Sequence, residues 1–153
     1  MNKKTVNNKT FYGIGWSREY PYERISASRI LPDLPGIVMF YEDGRGRLSE
    51  CLCFACWREG LRMGVKMLFD PLLSKQTYLR KMLENKKLVF KYCIVDSSSK
   101  DLQDVFAMLI GKYKPELNSA DSVTDSGRYD EINLVEKTVS NMLEKVTIPG
   151  FYN

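Results

Sequence analysis

The spacing of apolar residues changes several times along the chain, and each change predicts an element. Gly36-Ile37-Val38-Met39-Phe40-Tyr41 is a continuous apolar run ending at Glu42-Asp43-Gly44, and Asp-Gly marks a hairpin turn. A second strand is expected from about Arg47 to Phe54. Beyond it Trp57, Leu61, Val65 and Leu68 recur at helical spacing, which predicts a helix from about Cys56 to Phe69, closed by Asp70-Pro71. A shorter helix follows over about Lys75 to Glu84. Leu88 to Val95 alternates and is rich in Val, Ile, Phe and Tyr, the signature of a third strand. Ser97-Ser98-Ser99 offers N-caps for a helix whose face is Leu102, Val105, Phe106, Leu109, Ile110 and Tyr113, with Pro115 as its stop. In the tail, Ile132, Val135, Val139, Met142, Leu143 and Val146 outline one more amphipathic helix.

These elements predict one α/β (α+β) domain, a small three-stranded mixed or antiparallel sheet flanked by helices. Ser119 to Arg128 is rich in Ser, Asp, Thr and Gly, the composition of a flexible connector. The chain thus divides into an aromatic N-terminal arm (1–29), a central domain (30–118) and a linker with a C-terminal helix (119–153). The arm's Phe11, Tyr12, Trp16, Tyr20 and Tyr22 are expected to pack, because five exposed aromatics would form a large apolar patch. Stacking on bases is the alternative.

Length permits this plan: 153 residues suit a single domain with a substantial core. No apolar run reaches the ~18–20 residues that span a bilayer, so no membrane partner is expected. Met1 to Thr10 is polar and lacks a signal-like apolar stretch. A cytoplasmic location and reduced cysteines are the expectation. The chain has no histidine, which removes Ser-His-Asp and Cys-His chemistry and His-ligated metals. Charge is unevenly distributed: 6 basic and 3 acidic residues in 1–35, 14 and 10 in 36–118, and 3 and 6 in 119–153. A basic body therefore precedes an acidic tail.

Two segments carry a resemblance to a known family. Leu31-Pro32-Asp33-Leu34-Pro35-Gly36-Ile37-Val38 is similar to the opening "LP…PG(I/V)Y" of the GIY-YIG nuclease superfamily. Leu109-Ile110-Gly111-Lys112-Tyr113-Lys114-Pro115-Glu116-Leu117-Asn118 resembles its closing "LIK.Y.P.(Y/L)N". Gly60-Leu61-Arg62-Met63-Gly64-Val65 resembles the "(N/D)LRxRV" start of the family's first helix. The likeness spans about residues 30–118 and is greatest to the N-terminal nuclease domain of bacterial excision-repair endonucleases.

It implies a small sheet with flanking helices that cleaves a phosphodiester using one divalent metal. A carboxylate would hold the cation, an Arg would offset phosphate charge, and a Tyr would position or activate the nucleophile. The implied catalytic positions fall at Val38, Phe54 (or Ser49-Glu50-Cys51, if the insertion is placed later), Gly64 and Phe106. None of Val38, Phe54, Gly64 and Phe106 carries the family's group, while Asn118 matches the closing Asn. Arg62 lies about 200° round the helix from Gly64, and Asp104 stands in the same relation to Phe106, so neither substitutes. Asp101 is no nearer. Glu50 and Tyr41 are the remaining candidates for a residual metal site. The expectation is a catalytically degenerate domain with no catalytic residues and no cofactor; Mg or Mn is needed only if it is an unusual endonuclease.

Nucleic-acid binding is expected to reside in Arg45 and Arg47 on the hairpin, with Arg58, Arg62 and Lys66 as a basic stripe on the first helix. A solvated charged face is the plainer explanation of such a stripe. Gly44-Arg45-Gly46 could cradle a phosphate, but no helix follows it, and a turn explains it better. Cys51, Cys53, Cys56 and Cys93 invite a four-thiolate zinc reading. Cys51 and Cys53 would share one strand face while Cys56 begins a helix, so buried structural thiols are expected and no metal site. DNA is the expected partner. A protein partner held through the C-terminal helix, without nucleic-acid binding, is the alternative.

Overall fold

The run at 36–41 becomes β4 (Gly36–Gly44), and every residue from Gly36 to Tyr41 is buried. Its composition is continuous because both of its faces are covered. Ile37, Met39 and Tyr41 enter one apolar cluster, while Val38 and Phe40 enter the other. The computed structural model describes residues 1–119, 121 and 123–138. Among these, β4 lies between β5 (Arg47–Cys56) and β6 (Leu88–Ile94), antiparallel to both. These are the three expected strands. A two-residue strand, β3 (Tyr20–Pro21), adds a fourth beyond β6.

The hairpin turn lies two residues later than Asp43-Gly44 suggests. Gly44 pairs with Arg47, leaving Arg45 (φ 56°) and Gly46 (φ 80°) as the loop. Both have the left-handed conformation of a type I′ turn, whose twist suits the strands. The Asp43 carboxylate accepts the Gly46 N–H at 3.1 Å.

One face of this sheet carries α1 (Arg24–Ile30), α2 (Gly60–Phe69) and α3 (Thr77–Glu84), whose Ala27, Leu61, Val65, Leu68 and Leu83 join Phe40 and Phe90. The other face carries α4 (Ser99–Tyr113), with Leu102, Val105, Leu109 and Ile110 buried. Helix α4 is capped by the Ser98 hydroxyl, which accepts the Asp101 N–H at 3.0 Å. Helix α2 begins at Gly60 instead of Cys56 because β5 continues to Cys56, opposite Gly36. Gly60 then turns the chain at φ +77°.

The two end segments differ most from expectation. The aromatic arm folds as β1 (Asn2–Val6), β2 (Lys9–Trp16), β3 and α1, with a turn at Asn7-Asn8, both in the left-handed region. Tyr12, Ile14 and Trp16 are buried, so most of the arm's aromatics pack as expected, while Phe11 is 42% exposed. The expected C-terminal helix is a strand over its first part: β7 (Glu131–Thr138) runs parallel to β2, completing a second sheet of order β1-β2-β7. Ile132 and Leu134 pack on the core and Glu136 follows them on the same face, a period of two where a helix was expected. Val139, Met142, Leu143 and Val146 lie outside the described residues. The two sheets meet where Ser17 N–H donates to the Tyr92 carbonyl at 2.8 Å.

The Ser/Asp-rich connector is pinned rather than free around Ser126 and Arg128. Ser126 N–H donates to Asp104 at 2.7 Å, and Arg128 Nη2 lies 2.9 Å from both Asp101 Oδ1 and Asp104 Oδ2. Among the described residues no helix is long and apolar enough to cross a membrane.

The edge of β5 is covered by the segment after α4. Glu116 and Leu117 donate their N–H groups to the carbonyls of Glu50 and Cys51, at 3.2 and 2.9 Å. Asn118 completes this edge: its Oδ1 accepts the Cys53 N–H at 2.7 Å, and its Nδ2 donates to the Cys53 carbonyl at 3.0 Å. Asn118 thus satisfies an open strand edge. Asn118→Ala is expected to cost about 2 kcal/mol in urea denaturation, because two backbone groups lose their partners. Amide exchange at Cys53 should accelerate in parallel. A loss below about 0.5 kcal/mol would remove this role.

Candidate functional site

Helices α1 and α2 pack side by side and leave a groove of about 500 Å³ between them. The floor is apolar, from Ala27 and Leu31 on one side and Val65 on the other. Tyr22 and Phe69 also line the groove, their rings stacked on each other with centroids 4.3 Å apart. Four cations line this space: Arg24 and Arg29 from α1, Arg62 and Lys66 from α2.

Arg62 and Arg24 also bind carboxylates. Arg62 Nε donates to the Leu31 carbonyl at 3.0 Å and its Nη1 to Asp33 at 2.9 Å, tying α2 to the segment after α1. Arg24 lies 3.8 Å from Asp70. Among the described residues no carboxylate lies within ion-pair distance of Arg29 or Lys66. Burial pushes the Tyr22 hydroxyl up to about 12, with Arg24 opposing, so the phenol is neutral at physiological pH.

Of the five residues expected to bind nucleic acid, the fold brings Arg62 and Lys66 to this groove. Arg58 precedes α2 and does not line the groove, so the stripe is not continuous along one helix. Arg45 and Arg47 stand exposed at the β4–β5 hairpin tip and do not line it either. Sequence reasoning missed Arg24 and Arg29, which were counted with the arm, and it named Tyr22 only among the arm's aromatics, with packing expected and base stacking as the alternative. The available signal was Arg24-Ile-Ser-Ala27-Ser-Arg29-Ile30, where two arginines flank a buried alanine on a single short helix.

The positions implied by the family resemblance are apolar and packed. Val38 and Phe54 are cross-strand partners, and a Cβ at Gly64 would lie 2.4 Å from the Cys56 Sγ and 3.9 Å from the Phe54 ring. Those three positions converge on the face covered by α1, α2 and α3. Phe106 packs in the cluster on the opposite face. Tyr41 and Glu50 are paired across the β4–β5 ladder, and Tyr41 is buried. Burial, and secondarily the Glu50 charge, raises the Tyr41 hydroxyl well above its ordinary value, so it stays protonated and offers no phenolate to act as a base.

The thiols are divided between two faces. Cys53 and Cys93 belong to the α4 side, Cys51 and Cys56 to the α1–α3 side. The expectation that Cys51 and Cys53 share a face fails because of a β-bulge: Phe40 pairs with Leu52 and Tyr41 with Glu50, leaving Cys51 as the extra residue. Burial pushes the Cys51 thiol up to about 11 and those of Cys56 and Cys93 to about 12. All four are free and buried, in character structural rather than nucleophilic.

Asp101 and Asp104 form the other titratable cluster. The Tyr12 hydroxyl is 2.6 Å from Asp104 Oδ2, Lys3 Nζ is 2.8 Å from Asp101 Oδ1, and the Ser97 hydroxyl donates to Asp101 Oδ2 at 2.6 Å. With Arg128 and Ser126 added, every carboxylate oxygen has a donor. Burial alone would raise both carboxyls, but these hydrogen bonds outweigh it and hold both below the ordinary value of 3.8. The cluster fastens β1, β2 and the 126–128 segment to α4, which leaves it no free oxygen for chemistry.

No curated protein and no solved structure matches the chain. The model of a family described as "Uncharacterised protein" matches residues 1–149, and it is to that family that this chain, with its cationic groove, belongs.

Proposed function

We propose that this protein is a nucleic-acid-binding module, a GIY-YIG-like domain without that superfamily's cleavage chemistry, working in the cytoplasm. The observation that carries the reading is the α1–α2 groove, where four cationic side chains surround an apolar floor. Val38, Phe54, Gly64 and Phe106 support the loss of cleavage, since none supplies a hydroxyl, guanidinium or carboxylate. Arg45, Arg47 and Arg58 are further exposed cations that could touch a phosphate backbone outside the groove.

The test is fluorescence anisotropy of labelled single-stranded, duplex and branched DNA over a series of salt concentrations, with magnesium or manganese present. Binding at about 10⁻⁶ M or tighter is expected, with a log–log salt slope of about −3 from three to four phosphate contacts. The double substitution Arg29→Glu/Lys66→Glu should reduce that slope by about 2 and weaken binding at least about tenfold. Neither side chain has a carboxylate partner among the described residues, so the fold should survive the change. Absence of saturable binding at low salt would overturn the reading. Metal-dependent nicking abolished by Glu50→Gln would replace it with the endonuclease alternative.

A second reading, a protein-interaction module, rests on the α2–α3 connection and the first turn of α3. There Leu72 is 93% exposed and Tyr78 75% exposed, an unusual display of apolar surface. Partner capture that survives Arg29→Glu/Lys66→Glu and is lost in Leu72→Ser/Tyr78→Ser would favour it.

A further inference from the structure

We infer that the α1–α2 groove is a subsite for an unpaired nucleotide, with its phosphate at Arg29 and Lys66 and its base against Ile25, Tyr22 and Phe69. This rests on the nucleic-acid reading and narrows it to single strands.

A concavity of about 500 Å³ falls within the range of small-molecule pockets. A duplex presents phosphates on a convex rod with its bases stacked inside, so it could touch only the rim cations. An unpaired nucleotide can place both its phosphate and its base within the groove.

Ile25 lines the groove yet is 72% exposed, a large apolar side chain held in water beside four cations. A site built only for a phosphate backbone has no use for Ile25 or for an apolar floor. A groove for an apolar protein segment would not be ringed by arginine and lysine, whose desolvation would oppose docking. Apolar and aromatic surface next to positive charge is what an unstacked base with its phosphate requires.

Asp33 and Asp70 already engage Arg62 and Arg24, so the net positive field in the groove comes from Arg29 and Lys66. Two unneutralised cations match one or two phosphates, the number a single nucleotide with its neighbour supplies.

The experiment compares a labelled oligothymidylate of about twelve residues with a duplex of equal length, alongside methyl NMR of the Ile25 side chain. The oligothymidylate should bind at least about tenfold more tightly than the duplex. Its affinity should fall about fivefold or more in Ile25→Ser while the duplex affinity and the salt slope stay unchanged. The Ile25 methyl resonance should move upfield as a base ring covers it. Equal affinity for both DNAs, with Ile25→Ser silent, overturns the unpaired-nucleotide subsite and leaves general nucleic-acid binding standing. No binding of either DNA overturns both. Displacement of the oligothymidylate by polyglutamate at equal charge concentration assigns the groove to acidic peptides and also overturns it.

Discussion

Gly36→Ala should destabilise the protein by about 3 kcal/mol or more, enough to leave it largely unfolded or insoluble if its stability is ordinary. A Cβ at this position would lie 2.1 Å from the Cys93 carbonyl oxygen and 3.0 Å from a Leu61 methyl. The first of these atoms is backbone in the neighbouring strand, so relief requires β4 and β6 to separate where Gly36 pairs with Ile94. Glycine is needed here for space, where strand, strand and α2 meet. Gly111→Ala is the control: nothing lies within 4 Å of its would-be Cβ, and it sits in the last turn of α4. That change should be neutral or stabilising by up to about 1 kcal/mol. Urea denaturation of both variants reads the difference, and a Gly36→Ala cost below about 1 kcal/mol would show that the strands yield easily.

Arg128→Met should cost about 3 kcal/mol at neutral pH, because it leaves two buried carboxylates short of a cation. Asp104 is fully buried, and Arg128 is the single cation within ion-pair distance of it among the described residues. Asp101 keeps Lys3. The pH dependence follows from the depressed carboxyls. Each has a folded value below its unfolded 3.8, so its stabilisation is complete above that value and is lost as pH falls through the folded one. Wild-type stability should therefore hold to about pH 5 and decline below about pH 4. In Arg128→Met the carboxyls move up toward their unfolded value, so acid costs the variant less. The gap between the two proteins should narrow on acidification from about pH 7 to about pH 3. A gap that is constant with pH would mean that Arg128 contributes packing rather than charge.

Gly36 and Asn118 are two of the residues on which the resemblance to the GIY-YIG superfamily rests. Gly36 lies in the opening segment and Asn118 closes the final one, and both have structural duties: close strand approach, and closure of the β5 edge. Both are demands of the sheet, which persist whether or not a site is present. Val38, Phe54, Gly64 and Phe106, where the resemblance would place catalytic groups, are filled by apolar packing, and Gly64 leaves no room for a Cβ beside Cys56.

Hydrophobic spacing alone determined the central strands and helices. In β4, β5, β6, α2, α3 and α4 the residues that make an element are also those that reveal its period, so each element was legible from its own stretch of chain. Boundaries moved only where backbone geometry decided, as at the Arg45-Gly46 turn and the Gly60 start of α2. The two end segments were not legible in this way. In β2, Thr10 is buried while Phe11 points outward, and Gly13 and Gly15 erase the alternation. In β7, Glu136 occupies the core-facing position after Ile132 and Leu134, accepting hydrogen bonds from Trp16, Lys112 and Tyr113 at 2.7, 2.6 and 2.7 Å. Its partners are distant in sequence, so its charge hides the period of two and leaves Ile132 and Val135 to imitate a helix. The candidate site divides along the same line. Arg62 and Lys66 could be read from the α2 pattern, but Arg24, Arg29 and Tyr22 became part of one groove only when α1 packed on α2. Periodicity is local and is written within an element. A groove is a relation between two elements, and tertiary packing alone sets it.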